Sequence, residues 1–355
     1  VVMTEQELNA SIIHGGARPK AAFHDVKGEV GRPNSHYIVK FNHKHDAYNC
    51  AIMEQSTLEM AIQAGIKAVR SLVVAVRSPD GKVIDHMFLT ERYDRFTADD
   101  GKEYRCHKVS LLALTDPQKV PSQDRGDYRD AINAVKAVST SPKEDSEMLF
   151  RRMLFNIGVN NTDDHLKNHE MLVTQDSAGN RVCRLAPAYD LLPISAPCAH
   201  TTKIAGNENG VLSREFVAKV AVDLGIDPVA AEKMRTEVVE ALANWQKTLE
   251  RNHCSGRDMD YMRSALAASG VRALKSPFAL PGQVNPLTAI ARLETPTATP
   301  TAMLKGGGLL GVGSGVTAGS RTEDRSTPLS VTITRAPTEK ASAAAPLTPA
   351  RKGPS

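Results

Sequence analysis

Residues 160–168 read NNTDDHLKN, and residues 185–193 read LAPAYDLLP. The first stretch follows a predicted helix and is rich in side chains that bind metal ions or exchange protons. Between the two stretches, residues 171–174 and 181–185 are short apolar runs separated by the turn residues QDSAGN, a pattern that predicts a β-hairpin. The sequence therefore predicts a polar loop, a hairpin and a second carboxylate, Asp190, in that order.

This order is typical of enzymes that transfer a phosphoryl group. Asp163 and Asn168 are five residues apart, which is the spacing of the base and the metal-binding amide in the kinase loop H-R-D-x-x-x-x-N. Asp163 is then expected to accept the proton of the substrate hydroxyl, and Asn168 to bind Mg²⁺ through its amide oxygen. In kinase-like folds a hairpin leads to a second aspartate that binds the metal ion, and Asp190 occupies that place. Taken alone, the spacing also fits a solvated turn, because Asn and Asp favour turns.

The first hundred residues predict a small sheet with one helix. Residues 37–41 (YIVKF) are typical of a strand, and residues 47–63 have a helical pattern that ends at Gly65. Residues 72–76 and 83–89 predict two further strands, which are joined by the turn sequence SPDG.

Lys40 lies in the middle of the first of these strands, where a charge is costly unless it is paired or reaches solvent. Glu54 on the following helix is the expected partner, as in the lysine–glutamate pair of kinases. Glu59 is the competing partner, and an edge-strand lysine that reaches solvent is the alternative to both. Upstream, residues 14–20 (HGGARPK) would let backbone N–H groups approach phosphates, although such a loop is also common as a plain turn. The loop does not match G-x-x-x-x-G-K-[ST], which argues against a P-loop NTPase.

Beyond about residue 100 the chain is predicted to be helical. Residues 141–144 (SPKE) form a capping-box pattern with proline at the first helical position, and this helix is expected to end at Gly158. Residues 276–355 are rich in Pro, Thr, Ala, Ser and Gly and are predicted to be disordered. Another helix begins at Asp227-Pro228, and its apolar face is formed by Val238, Leu242, Trp245 and Leu249.

Composition is that of an ordinary globular protein, with 41% hydrophobic and 24% charged residues. The five cysteines are scattered, which favours the reducing cytoplasm, and no apolar run is long enough to span a membrane. The net charge of the chain is +4, but the segment from Lys275 onward has nine basic and four acidic residues, a net +5, which leaves −1 for the rest. Net charge therefore gives no strong indication that the predicted folded part binds nucleic acid. Zinc spacing such as H-E-x-x-H and the hydrolase motif G-x-S-x-G are absent.

Taken together, residues 161–168 and 185–193 resemble two motifs of the C-terminal kinase domain of HipA-type toxins. Three weaker stretches agree: residues 15–20 with the phosphate loop of that family, 37–41 with its lysine strand, and 91–95 (ERYDR) with the hinge that holds adenine. The similarity extends over roughly residues 11–270.

The resemblance implies an α+β, two-lobed protein-kinase-like fold. A small β-rich N-lobe would span residues 1–95, a larger helical C-lobe residues 96–275, and the disordered tail residues 276–355. The implied activity is phosphorylation of a protein serine or threonine, with ATP and Mg²⁺ as cofactors.

The resemblance also implies roles for particular residues. Asp163, Lys40 and Lys167 would be catalytic, and Asn168 and Asp190 would bind the metal ion. The implied nucleotide-binding residues are Gly15, Gly16, Ala17, Arg18, Pro19, Lys20, Lys40, Glu54, Glu91, Arg92, Tyr93, His165, Leu166, Lys167, Asn168, Tyr189 and Asp190.

The implied setting is a bacterial toxin–antitoxin pair in the cytoplasm. Family toxins act on proteins such as aminoacyl-tRNA synthetases and pair with a small DNA-binding antitoxin, so nucleic-acid contact would be indirect and no membrane would be involved. The serine whose autophosphorylation inactivates many family kinases is not expected here, because Ile13, His14 and Gly15 precede Gly16 and Ser11 is out of register. Only about a dozen residues precede the loop, where family members usually have an N-terminal subdomain.

Two other functions fit the same residues. A kinase-like phosphotransferase for a small molecule would use the same groups, because the acceptor groove cannot be read from the sequence. A catalytically silent module, such as a co-repressor that acts with an antitoxin on DNA, is disfavoured because Lys40, Asp163, Asn168 and Asp190 occur together. Binding alone requires neither a base nor a metal ligand.

Overall fold

The computed structural model describes the backbone of residues 12–13 and all of residues 18–78, 80–97, 101–115 and 126–270. Two sets of predictions lie outside these residues: the roles of Gly15, Gly16 and Ala17, and the disorder of residues 276–355. The described residues form one part made mainly of strands and a second part made mainly of helices.

The first part is a sheet of five antiparallel strands in the order β1-β2-β3-β5-β4. The strands are β1 (Ile12–Ile13), β2 (Lys20–Asp25), β3 (Ser35–Phe41), β4 (Ser71–Arg77) and β5 (Val83–Glu91). Successive residues of a strand point to opposite faces of the sheet. Tyr37 and Val39 are buried in a small core with Leu89, so Lys40 points to the other face. The three strands predicted in this region are confirmed.

One helix, α1 (Cys50–Gln63), packs against β4 and β5. It begins after Asn49, whose side chain accepts a hydrogen bond from the N–H of Ile52. It ends just before Gly65, whose φ of +78° is in the left-handed region that favours glycine. The predicted helix is confirmed, although it starts three residues later than expected.

The second part contains seven helices among the described residues. They are α2 (Leu111–Leu114), α3 (Tyr128–Val138), α4 (Pro142–Gly158), α5 (Arg214–Leu224), α6 (Pro228–Ala243), α7 (Trp245–Arg251) and α8 (Gly256–Ala268). The central one is α4, where Leu149, Phe150, Leu154 and Phe155 are fully buried. None of the helices in the described ranges is both long enough and apolar enough to cross a membrane.

Two details of the predicted helices are wrong. The side chain of Ser141 makes no capping hydrogen bond at the start of α4. The other half of the capping box is also missing, because the N–H of Ser141 donates to Ser139 Oγ (2.9 Å) and Glu144 binds Arg184 (Nη2 to Oε2, 2.7 Å). The predicted apolar face of Val238, Leu242, Trp245 and Leu249 is divided between two helices. The helix ends at Asn244, so the first two residues lie on α6 and the last two on α7.

The region beyond residue 95 also contains strands that the sequence did not predict. β6 (Arg95–Thr97) pairs with β7 (Glu103–Arg105), and β8 (His107–Ser110) joins the predicted hairpin, β9 (Glu170–Gln175) and β10 (Arg181–Leu185), in a second sheet. Every residue of β7 is exposed. Such strands lack the alternation of apolar and polar residues on which strand prediction depends.

Backbone hydrogen bonds also connect the two parts close to the end of β5, where the N–H of Glu91 donates to the carbonyl of Arg70 (2.8 Å). The N–H of Ala188 donates to the carbonyl of Lys67 (2.8 Å), and the N–H of Val69 donates to the carbonyl of Ala188 (2.9 Å). The linker between α1 and β4 is thereby attached to the segment that leads to Asp190.

Candidate active site

Lys40 is the centre of an ion-pair cluster that joins the two parts of the molecule. Its Nζ atom lies 2.6 Å from Glu54 Oε1 and 2.6 Å from Asp190 Oδ1. Glu54 is on α1 and is 2% exposed, whereas the side chain of Asp190 is 39% exposed. Glu59, the competing partner, instead pairs with Arg251. The structure therefore contains the expected Lys40–Glu54 pair and adds Asp190 to it.

Burial and charge shift the pKa values of this cluster in different directions. Burial raises the pKa of Glu54 to about 7, although Lys40 acts against the shift. For Lys40, burial would lower the pKa, but the charges of Glu54 and Asp190 outweigh it and raise the pKa. For Asp190, burial would raise the pKa, but Lys40 holds it below the usual range. Lys40 and Asp190 are thus charged at neutral pH, and Glu54 is the group that titrates there.

We expect Glu54→Gln to remove part of the pH dependence of stability. The pKa of Glu54 is raised on folding from 4.5 to about 7, so the folded state binds the extra proton in this range and wild-type stability falls as pH rises through it. The loss should be about 3 kcal/mol between pH 4.5 and pH 7. Chemical denaturation of both proteins across this range measures the difference, and parallel stability curves would contradict the assignment.

Two further cations, Lys20 and Arg18, act on the same ion-pair cluster. Lys20 on β2 is directly opposite Lys40 on β3 in the antiparallel register. Arg18 forms a two-pronged pair with Asp46, at 2.6 and 3.0 Å, and both Lys20 and Arg18 contribute to lowering the pKa of Asp190. Like charges on opposed strand positions repel each other, and a bound anion relieves that repulsion. This arrangement fits a phosphate group.

Pro19, which lies between Arg18 and Lys20 in the chain, forms a backbone hydrogen bond to the lysine strand. Its carbonyl accepts a hydrogen bond from the N–H of Phe41 (3.4 Å). The described end of the predicted phosphate loop, residues 18–20, is therefore attached to the lysine strand.

The loop at 160–168 exposes one of its two aspartates and buries the other. The side chain of Asp163 is 71% exposed, and its Oδ1 atom lies 2.9 Å from Nε2 of His165. Asp164 is only 3% exposed and Leu166 only 1%. His165, predicted to bind nucleotide, thus contacts Asp163, and the side chain of Leu166 belongs to the core.

Asp164, His169 and Tyr128 form a buried polar network next to this loop. The sequence did not predict this network. Asp164 Oδ1 lies 2.9 Å from His169 Nε2, and its other carboxylate oxygen accepts a hydrogen bond from the hydroxyl of Tyr128. Burial would raise the pKa of Asp164, but these contacts outweigh it and keep the pKa below its usual range. A buried carboxylate with such partners holds the loop backbone in place.

The segment after Asp190 also packs on the loop. The N–H of Thr201 donates to the carbonyl of Thr162 (2.9 Å), the N–H of Ile194 donates to the carbonyl of Asn160 (3.1 Å), and the hydroxyl of Thr202 donates to the carbonyl of Asp164. These bonds cover the loop on both sides of Asp163 and leave its carboxylate exposed.

Tyr189 and Lys167, which precede Asp190 and Asn168 in the chain, are in contact with each other. The hydroxyl of Tyr189 donates to the carbonyl of Lys167 (3.2 Å). Asp190 itself has a φ of +59°, a left-handed conformation that is strained for most residues. Among the described residues, no group of three or more His, Cys, Asp or Glu side chains could hold a metal ion.

The three predicted hinge residues differ in where their side chains lie. Glu91 binds Arg32, and Arg92 binds Asp94 at 2.9 and 2.7 Å. The Tyr93 ring is instead 6.2 Å from that of Tyr189. Of the three, Tyr93 alone has its side chain beside a residue of the Asp190 motif.

Comparison with known proteins identifies the family. The model of the HipA-like C-terminal domain matches residues 12–246 of the chain. The chain belongs to the HipA-like family. A curated relative from Sinorhizobium fredii, named "Putative kinase Y4mE", is 32% identical over 122 residues, which are 34% of this chain and 27% of the relative. The match thus spans about a quarter of that relative's length.

Among solved structures, the chain is similar to HipA of Shewanella oneidensis MR-1, determined as a complex of HipA, HipB and operator DNA. The TM-score is 0.54 with 16% identity, and the match covers 72% of this chain and 64% of that chain. At this identity the likeness is one of fold. The expected two-lobed, kinase-like α+β fold of the HipA-like family is confirmed: β1 to β5 with α1 form the small lobe, and the part around α4 forms the large lobe.

Proposed function

We propose that this HipA-like chain is a protein kinase that uses ATP and Mg²⁺ to phosphorylate serine or threonine. The observation that carries the proposal is Lys40, held between Glu54 of the small lobe and Asp190 of the large lobe. Kinases require such a lysine–glutamate pair and a metal-binding aspartate in place at the same time. Lys20, directly opposite Lys40, adds a second cation for the nucleotide phosphates.

The residues present fit the nucleotide and its metal ion. Lys40, Lys20 and Arg18 would hold phosphate oxygens, because their charges converge on Asp190. Asp190 and Asn168 would hold Mg²⁺ through oxygen atoms. When bound, ATP would supply the phosphoryl group, and Mg²⁺ would neutralise the charge that develops as it is transferred.

Asp163 would be the group that accepts the proton of the substrate hydroxyl. Its carboxylate is exposed, as required for contact with a second protein. His165 Nε2 lies 2.9 Å from Oδ1 and would orient the carboxylate, which leaves Oδ2 available to the acceptor. Lys167, four residues after Asp163 in the same loop, would stabilise the transferred phosphoryl group through its charge.

The partners of the chain are part of the proposal. The exposed base favours a protein acceptor, and the translation machinery is the class that the family resemblance suggests. The solved HipA structure contains HipB and operator DNA, so we propose that a small DNA-binding antitoxin also binds this chain. A small-molecule acceptor would use the same groups and is the alternative.

Transfer of labelled phosphate from ATP in an extract without other kinase activity tests the proposal. With Mg²⁺, wild-type protein should label a protein band, and Asp163→Ala should not. Chelation of Mg²⁺ should abolish the labelling. Label that appears only in the small-molecule fraction would favour the alternative acceptor, and bound ATP without any transfer would contradict the kinase assignment.

A further inference from the structure

Arg152 is a fully buried arginine that the proposed mechanism does not use. It lies on α4, is 1% exposed, and donates one hydrogen bond from Nη2 to the carbonyl of Ala186. Its Nε and Nη1 atoms have no hydrogen-bond partner among the described residues. Burial lowers its pKa to about 10. A methionine or leucine would fill this space without the cost of burying a charge, so packing alone does not account for the guanidinium group.

The carbonyl that Arg152 binds belongs to a segment that leads directly to Asp190. Within residues 185–188, every backbone N–H donates a hydrogen bond: Leu185 to Asp145 Oδ2 (3.0 Å), Ala186 to the carbonyl of Glu170 (2.8 Å), and Ala188 to the carbonyl of Lys67 (2.8 Å). Arg152 adds the side-chain bond that holds the Ala186 carbonyl, four residues before Asp190.

The same face of α4 also holds the loop that carries Asp163. Asn156 lies one helical turn after Arg152, and residues four apart share a helix face. The N–H of Asn161 donates to the carbonyl of Asn156 (2.8 Å), and the side-chain amide of Asn161 donates to Asn156 Oδ1 (3.1 Å). One rigid helix face is therefore attached to both segments that carry the carboxylates.

We propose that Arg152 is a positioning residue that sets the place of Asp190 relative to Asp163. The inference rests on the proposed kinase function and deepens it by naming a residue outside the cleft that the reaction depends on. A displacement of about 1 Å in a catalytic group can lower turnover about 10²-fold. Loss of the bond to Ala186 should thus affect turnover more than the binding of ATP without metal.

Arg152→Met tests the proposal, with Met153→Ala as the matched control. Met153 is the next residue of α4 and is 1% exposed, so its truncation destabilises the same helix but keeps the hydrogen bond from Arg152 to Ala186. We expect Arg152→Met to lower turnover at saturating ATP about 10²-fold, while Met153→Ala stays within about threefold of wild type. Arg152→Lys, which keeps one donor, should recover part of the loss. Equal turnover in Arg152→Met and Met153→Ala at matched stability would overturn the proposal.

Two further readouts keep the test decisive. If Arg152→Met does not fold, Arg152→Lys replaces it: turnover below that of Met153→Ala supports the positioning role, and equal turnover overturns it. If wild-type protein transfers no phosphate, the kinase proposal itself fails. The gain in ATP affinity on adding Mg²⁺ then reports on Asp190 directly, and an equal gain in wild type and Arg152→Met overturns the role of Arg152.

Discussion

Replacing Asp190 by alanine is expected to abolish the gain in ATP affinity that Mg²⁺ provides. Substitution of groups that only support a metal ligand typically costs 10- to 100-fold in metal affinity, so removal of the ligand itself should cost about 100-fold or more. The fold should survive, because Lys40 keeps its partner Glu54 at 2.6 Å. Calorimetric titration of ATP with and without Mg²⁺, on wild type and variant, measures the effect.

Asp163→Ala is the control for this experiment. Asp163 is exposed, and its contact is with His165 rather than with Lys40, so its removal should leave Mg²⁺-dependent ATP binding within about threefold of wild type. If wild type and Asp190→Ala bind ATP equally well in Mg²⁺, Asp190 is not the metal ligand and the assignment of the whole motif is wrong.

The second large effect is expected on turnover, from the same Asp163→Ala substitution. A positioned base contributes about 10²- to 10⁴-fold to the rate of such a step, and we expect a loss in this range. The reason is geometric: Asp164, the neighbouring carboxylate, is buried with Tyr128 and His169 and cannot replace it. Initial rates at saturating ATP, with the labelled acceptor from the extract experiment, give the ratio.

Asp260→Ala provides a matched substitution for that assay. The side chain of Asp260 is 73% exposed, against 71% for Asp163, and it lies on α8, where it pairs with Arg263. It should transfer phosphate at the wild-type rate. Wild-type turnover in Asp163→Ala would show that another group accepts the proton, and the proposed role of the 160–168 loop would have to be abandoned.

Local sequence patterns predicted the elements that carry the site. The hairpin β9 and β10 and the strands β3, β4 and β5 have clear apolar runs and turn residues, and all of them are present. The short polar strands β6 to β8 were missed because they have no such pattern. The capping box at Ser141 was wrong because the N–H of Ser141 and the carboxylate of Glu144 bind Ser139 and Arg184 instead of each other, and Arg184 is distant in sequence.

Spacing indicated candidate groups but could not show what surrounds them. It named both Glu54 and Glu59 as partners for Lys40, and the packing of α1 selects Glu54. Arg152 and Tyr128 were not predicted at all, because each meets its partner more than 30 residues away along the chain. Such contacts depend on how α3 and α4 pack, and no local pattern reports that.

The hydrogen bonds between Ala188 and the Lys67 to Val69 linker limit how the cleft can open. The small lobe is also joined to the large lobe along α1, where the N–H of Asn49 donates to Asp258 Oδ1 (2.8 Å) and Glu59 pairs with Arg251 (2.6 Å). Rotation of the whole small lobe would have to break these contacts together with the bridge. In the proposed kinase, nucleotide exchange is therefore expected to use smaller, local movements of the cleft, and substitutions that weaken the contacts of α1 should speed it.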